Sequence, residues 1–393
     1  MTIPFLKQIT LQNFLSFGPV GVAVDLAPLN VIIGPNGSGK SNLIEALSVL
    51  RAVPKDLPLP IRLGGGVRDW LHRGATAADR AELTCIFGEG HVASRPSNPP
   101  AVRYHLAFGA EGGQFVVLDE RVENELGDPK PYFYFGYEQG RPMLNVDEGK
   151  RQLRMENIDR TQSVLSQRRD PEHYPELTRL GEQLGRVAIY RDWTFGTASP
   201  ARLSSSAGAR ADTLAESLDN LPTRLAVLKR DTAVKRALLE HLTDIAAGFH
   251  DIEVVPEGGQ LQLYLTEGQQ NFPAQRLSDG TLRYLALLCI LLDPTPPPLI
   301  LIEEPELGLH FDLIHKLAPL LVEASERTQL IVTTHSDVLV DALQDDPTRI
   351  VVCEKEAGGT VLRRLDGEAL KGWLDKYSLG TLWTRGDIGG TRW

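Results

Sequence analysis

The amino-acid sequence predicts an α/β protein with a mostly parallel core sheet, an antiparallel β subdomain and an inserted middle region of helix and irregular chain. Three observations predict it. Leu29 to Ile33 (LNVII) is a short run, apolar but for Asn30, that passes at once into GPNGSGKS and the helical stretch NLIEALSVLRAV. Strand and helix patterns alternate again from Asp251 onward. Between these ends lie segments in which apolar and polar residues alternate. An unbroken apolar strand is buried on both faces, as in a parallel sheet, and an alternating one keeps a solvated face.

In chain order, Ile3 to Leu11 and Val20 to Leu26 read as the first strands. The helix after GPNGSGKS is stopped by Pro54, Pro58 and Pro60. Ala81 to Phe87, Val102 to Phe108 and Gln114 to Val122 read as antiparallel strands. Gly127 to Arg186 is the least regular stretch, with five prolines and a tyrosine-rich patch, and is read as an arm of modest helical content. Ser199 to Asp212 (SPARLSSSAGARAD) reads as a flexible loop. Helical spacing follows over Thr213 to Leu228 and Ala233 to Ala247, without a sustained heptad. Strands are expected at Ile252 to Val255, Leu261 to Leu265, LILIEE and QLIVTT, with helices after RLSDGT, from Phe311 to Ser325 and over DVLVDAL. The organisation expected is an N-terminal lobe 1–125, an inserted region 126–248 and a C-terminal lobe 249–393.

A net charge of −10 argues against a large phosphate-binding surface without excluding a local basic groove. Arg151, Arg154, Arg160, Arg168 and Arg169 form the most basic stretch, and a solvated charged face is the favoured reading of it. Cys85, Cys289 and Cys353 lack metal-ligand spacing and read as reduced core thiols. The N-terminus lacks a signal-peptide pattern, and Leu285 to Leu292 is too short to span a bilayer. A cytoplasmic protein with no membrane contact is expected.

Gly34-Pro35-Asn36-Gly37-Ser38-Gly39-Lys40-Ser41 is a full G-x-x-x-x-G-K-[ST] match between a strand and a helix. Its glycines let backbone N–H groups wrap a phosphate chain, Lys40 brings a cation to the β- and γ-phosphates, and the Ser41 hydroxyl can ligate Mg²⁺. Leu299 to Ile302 is an apolar strand ending in Glu303 and Glu304. One such acid can hold the Mg²⁺ shell and the next can orient water. Leu277 to Thr281 (LSDGT) opens an apolar helix, where Ser278 is either an N-cap or part of an anion site with Gly280. His335 follows the strand LIVTT, at the sheet end where ligands bind.

Together and in this order, these signals resemble the heads of ABC-type ATPases. They are most similar to the branch shared by RecF, the SMC proteins and the overcoming-lysogenization-defect proteins, and within it to stand-alone bacterial AAA/ABC-type ATPases. IEEPELGLH, VTTHSDVL, LQNFLSF, SVLSQRRDPEHYPELTRLGEQL and SLGTLWTRGDIGGTRW all look like that branch. The resemblance implies ATP and Mg²⁺ as ligands. It makes Gly34 to Ser41 the Walker A residues, Glu303 a metal contact beside Ser41, and Glu304 the catalytic carboxylate acting with Lys40 and the switch residue His335. Ser278 and Gly280 would belong to a signature motif that meets a nucleotide on a second copy of the chain, and Glu306 to His310 would cross the dimer seam.

The sequence departs from the pattern in three places. LSDGT replaces LSGGQ, Glu303 replaces the usual Asp, and the usual Q-loop glutamine has no evident counterpart in GGGVRDWLHRG, where His72, Arg73 or a water would act. The expected activity is ATP hydrolysis driving dimerisation of the head, in DNA maintenance or antiphage defence by family analogy. The alternatives are a nucleotide-gated switch that assembles with a partner effector and turns over little ATP, and the ATPase subunit of a transporter. VVCEKEAGGT lacks a following D-x-D, so no nuclease activity is expected.

Overall fold

In the computed structural model, the described residues are 4–73, 80–88, 101–124, 132–138, 141–147, 151–155, 157–209, 211–245 and 248–391. The chain forms two compact units, Met1–Val187 with Thr348–Gly367 and Arg385–Trp393, and Ala188–Pro347 with Glu368–Thr384.

The first unit holds an eight-stranded antiparallel sheet. Its order is Val22–Asp25, Leu6–Gln12, Arg80–Phe87, Val102–Glu111, Gln114–Asn124, Phe133–Glu138, Arg141–Asp147, Arg151–Met155. Arg80–Phe87 shows why the alternation was legible: every second residue, from Ala81 to Phe87, is buried. Part of the stretch read as irregular continues this sheet, through Phe133–Glu138, Arg141–Asp147 and Arg151–Met155. The prolines misled that reading. Pro142 lies inside a strand, which a residue without an N–H can do where no ladder bond is needed from it.

Glu120 is fully buried in this sheet. Its carboxylate accepts from Tyr104 Oη (2.8 Å), Ser163 Oγ (2.5 Å) and the Val164 amide (2.9 Å). Burial pushes its pKa up to about 7 against these donors. The bonds to Ser163 and Val164 attach the segment SVLSQ to the strand that carries Glu120.

The same unit contains the parallel pair Leu29–Ile33 and Ile350–Glu356, with Ile350 opposite Val31 and Val352 opposite Ile33. Gly359–Arg364 adds an antiparallel edge. All five residues of Leu29–Ile33 are buried; Asn30, its one polar residue, accepts from the Ala27 amide and from Arg364 and donates to the Ala27 carbonyl. Of the basic stretch, Arg160 donates to the Val117 carbonyl and Arg168 to the carbonyls of Gln167 and Asn157. The side chains of Arg151 and Arg154 lie outside the described residues.

In the second unit three parallel strands, Ala188–Tyr190, Leu299–Glu303 and Gln329–Thr333, run side by side. Glu303 stands opposite Thr333. A smaller antiparallel sheet joins Phe249–Glu257, Gln260–Glu267, Gln270–Pro273 and the two-residue strand Ser205–Ser206. Helix Asp279–Leu291 is buried along almost its whole length. The loop expected from Ser199 to Asp212 is more ordered than its composition suggests. Arg202 is buried and donates to the carbonyls of Phe195 (3.0 Å), Gly196 (3.1 Å), Ala274 (3.2 Å) and Leu277 (2.7 Å), and pairs with Asp279. A buried guanidinium meets its donor requirement only with such a set of acceptors, so one side chain overrides the local glycine and serine signal.

Candidate active site

In the first unit, Leu29–Ile33 delivers the chain into Gly34–Gly39. Gly34 and Gly39 hold φ of +152° and +115°. A β-carbon at Gly34 would collide with the Cys353 carbonyl, and one at Gly39 with the Thr360 hydroxyl. Glycine is therefore required at both by conformation and by space. Helix Lys40–Ala52 starts directly on Gly39 with no side-chain cap and no acidic residue in its first turn. A helix start of this kind, with no acidic side chain beside it, favours an anion through its dipole.

Lys40 is buried, and its ammonium donates to the carbonyls of Gly34 (2.6 Å) and Pro35 (3.1 Å). Ser38 is buried, whereas Asn36, Gly37 and Ser41 are exposed. The cradle is braced by residues that no motif marks. Thr360 Oγ1 lies 2.7 Å from the Ser38 carbonyl and 2.6 Å from Ser16 Oγ, and Asn42 donates to Ser16 at 2.6 Å. The turn that presents Ser16 has positive φ at Asn13 and Leu15. His72, considered for the missing glutamine, places Nδ1 2.9 Å from the Leu15 carbonyl, on that turn. Arg73 pairs with Asp69 and is exposed.

In the second unit, Glu303 ends its strand and Glu304 turns away from it with φ +44°. A non-glycine residue there is strained, and such strain gathers at functional sites. The Glu304 amide donates to the Thr333 carbonyl at 3.0 Å. Its carboxylate lies 3.4 Å from His335 Nε2, and both side chains are partly exposed. Glu306 is buried, and its Oε1 accepts from Thr334 Oγ1 (2.7 Å) and from the His335 amide (2.9 Å). Its Oε2 has no hydrogen-bond partner among the described residues. Glu306 thus fixes the backbone that carries the histidine.

Ser278 caps helix Asp279–Leu291, its hydroxyl accepting from the Thr281 amide at 3.1 Å. Its capping role is therefore present, and the side chain remains exposed. A methyl group at Gly280 would stand 2.7 Å from the Gly308 carbonyl oxygen. The helix tip and the loop after Glu306 are thus packed backbone to backbone. On that loop Leu307 is 51% exposed, and Phe311, which opens the helix after it, is 59% exposed.

The two groups of residues fit MgATP in kind. One offers a cation, helix-start amides and a hydroxyl to phosphates and metal; the other offers carboxylates and an imidazole. Among the described residues no group of three or more His, Cys, Asp or Glu side chains is placed to hold a metal ion. No helix among the described residues is long and apolar enough to cross a membrane.

Comparison with known proteins agrees with this chemistry. The family model described as "AAA domain, putative AbiEii toxin, Type IV TA system" matches residues 29–125 and 151–341. The chromosome partition protein Smc of Thermoplasma acidophilum is 28% identical over 144 residues, 37% of this chain and 10% of that protein. The DNA replication and repair protein RecF of Heliobacterium modesticaldum is 26% identical over 225 residues, 55% of this chain and 53% of that protein. The chain therefore spans about a tenth of the length of the one and about half of the other. Among solved structures, an Smc head bound to the C-winged helix domain of ScpA has a TM-score of 0.60 at 17% identity, covering 93% of this chain and 99% of that one. An Smc head with an extended coiled coil, bound to the C-terminal domain of ScpA from Pyrococcus furiosus, has a TM-score of 0.57 at 15% identity, covering 95% and 99%. The fold is that of a P-loop ATPase head.

Proposed function

The chain belongs to this AAA-domain family, as an AAA/ABC-type ATPase of the RecF/SMC branch, and we propose that it hydrolyses MgATP and that two copies pair while the nucleotide is intact. The observation that carries the reading is the built acid–imidazole pair, Glu304 held at positive φ with His335 at 3.4 Å.

In this reading the helix-start amides of Lys40–Ala52 and the Lys40 ammonium bind the phosphates. Lys40 exchanges its bonds to Gly34 and Pro35 for phosphate oxygens. Ser41, and Glu303 through water, would hold Mg²⁺, which would supply neutralisation of the phosphate charge. Glu304 orients a water and takes its proton as the water oxygen bonds to the γ-phosphorus and the bridging P–O bond to the β-phosphate breaks. His335 donates to the γ-phosphate. The work is positioning and charge stabilisation.

Ser278 and Gly280 of one copy close the nucleotide site of the other. Leu307 and Phe311, apolar and exposed in a single chain, offer the partner copy a surface to bury. The task served is DNA maintenance or antiphage defence; likeness to Smc and RecF supports the first of these.

The test is ATP turnover per molecule against protein concentration, with and without DNA, beside a sizing assay of Glu304→Gln. Turnover should rise with concentration, and Glu304→Gln should bind ATP, stop turning over and accumulate as a dimer. Phosphate release at background would end the hydrolysis reading. Turnover independent of concentration, with Glu304→Gln monomeric in ATP, would end the paired-head reading.

A further inference from the structure

Arg283 is absent from every motif above. It lies on helix Asp279–Leu291 between the buried Leu282 and Tyr284, and is itself only 9% exposed. A guanidinium in such a place is costly unless its charge and donors are met. Its central carbon lies 5.5 Å from the centre of the Trp193 ring and 5.1 Å from that of Phe195. The two rings meet edge to face, so together they hold the cation by their π faces and limit its freedom. Nη1 donates to the carbonyl of Glu304 at 3.2 Å. The negative charges of Glu306 and Glu304 both act on it. The carbonyl it holds belongs to the residue whose backbone is strained.

We infer that Arg283 is a positioning residue for Glu304: by gripping the carbonyl of that strained peptide it sets the direction of the Glu304 carboxylate toward His335. Glu306 does the corresponding work from the other side, through the His335 amide. The helix that carries Arg283 opens with Ser278 and Gly280, so a tilt of that helix on meeting a second copy would move Glu304. The inference rests on the reading of Glu304 as the water-handling acid.

The test is steady-state ATP hydrolysis and MgATP affinity for the full chain, for Arg283→Gln, Arg283→Lys, Glu304→Gln and the double variant Arg283→Gln/Glu304→Gln. Arg283→Gln should lower kcat about 10- to 100-fold with KM and affinity within about twofold, because the cradle is untouched. Arg283→Lys should recover part of the loss, since an ammonium still donates to the carbonyl but does not stack as a plane. On the residual rate of Glu304→Gln, read as single-turnover hydrolysis over long incubation with enzyme in excess, the Arg283→Gln change should cost less than about twofold, since the group it positions is gone. A merely structural arginine would not show that dependence. Arg283→Gln with kcat within twofold of wild type, or a loss that multiplies on the Glu304→Gln background, overturns the assignment while the ATPase reading stands. If Arg283→Gln does not fold, Arg283→Lys decides: a kcat loss of about threefold or more at unchanged KM supports the role, and unchanged kcat overturns it. A wild-type chain without turnover overturns the ATPase reading and this inference with it.

Discussion

The groups suited to a phosphate chain come from eight consecutive residues, Gly34 to Ser41, on one strand–loop–helix turn. Those around Glu304 come from four separated stretches: Trp193 to Arg202, Leu277 to Arg283, Glu303 to Gly308 and Thr333 to His335. The first is a backbone device, in which glycines remove side chains so that amides can converge. The second is a side-chain device, in which a carboxylate is aimed by an arginine held between aromatic rings and a histidine is aimed by a second acid. A backbone device fails abruptly when its loop is altered. A side-chain device fails by degrees, as each of its supports is removed.

The largest expected effect tests the backbone device. Lys40→Ala should weaken MgATP binding by about 100-fold or more, the loss of a charge-assisted contact to phosphate. Equilibrium binding reads it directly, and unchanged affinity would remove Lys40 from the cradle. Next comes a support of the side-chain device. Arg202→Met strands the buried carbonyls of Ala274 and Leu277, at a cost of roughly 3 kcal/mol. Urea unfolding should show the loss as a lower midpoint. A midpoint equal to wild type would mean that the chain from Ser199 onward is not pinned to the helix tip.

Gly280→Ala sharpens the comparison with a smaller change. The methyl group would press on the Gly308 carbonyl, and the shift should cost about 1–2 kcal/mol. Turnover should fall further than stability, because helix tip and loop both flank Glu304. Equal, small losses in both would show that the packing there is structural only.

The last prediction concerns the antiparallel sheet, remote in kind from either device. Glu120 has its pKa raised from 4.5 to about 7 in the folded chain. Below 4.5 it is neutral both folded and unfolded. Between these values the unfolded chain ionises and the folded one stays protonated, so its contribution to stability is lost as pH rises, and the loss is complete above about 7. Thermal unfolding at pH 4.5, 6 and 8 should show wild type losing stability relative to Glu120→Gln across that interval. A constant difference would place the titration of Glu120 elsewhere.

Much of this was readable along the chain. Leu29–Ile33, Leu299–Glu303 and Gln329–Thr333 declare themselves as buried strands because apolar residues fall on both faces of each; the one polar residue inside them, Asn30, is hydrogen-bonded to Ala27 and Arg364. Lys40 and Ser41 declare themselves because phosphate wrapping demands a fixed local spacing. Glu304 and His335 could be named from the strands they follow, although not from their own surroundings. Arg202 and Arg283 gave no such sign. One sits in a segment with loop composition, the other in an apolar helix, and the acceptors at Ala274, Leu277 and Glu304 lie many residues away. Ser16 and Thr360, which brace the cradle from opposite ends of the chain, were equally silent.

What the sequence by itself determined is therefore whatever repeats or spaces locally: strand periodicity, helix starts, the glycine loop and the order of the acids and the histidine. What only the tertiary structure decided is which distant side chains satisfy a buried charge or carbonyl. The reason is physical. Periodicity and turn geometry are set by neighbours within a few bonds, whereas a guanidinium or carboxylate cut off from water must find its partners wherever folding brings them.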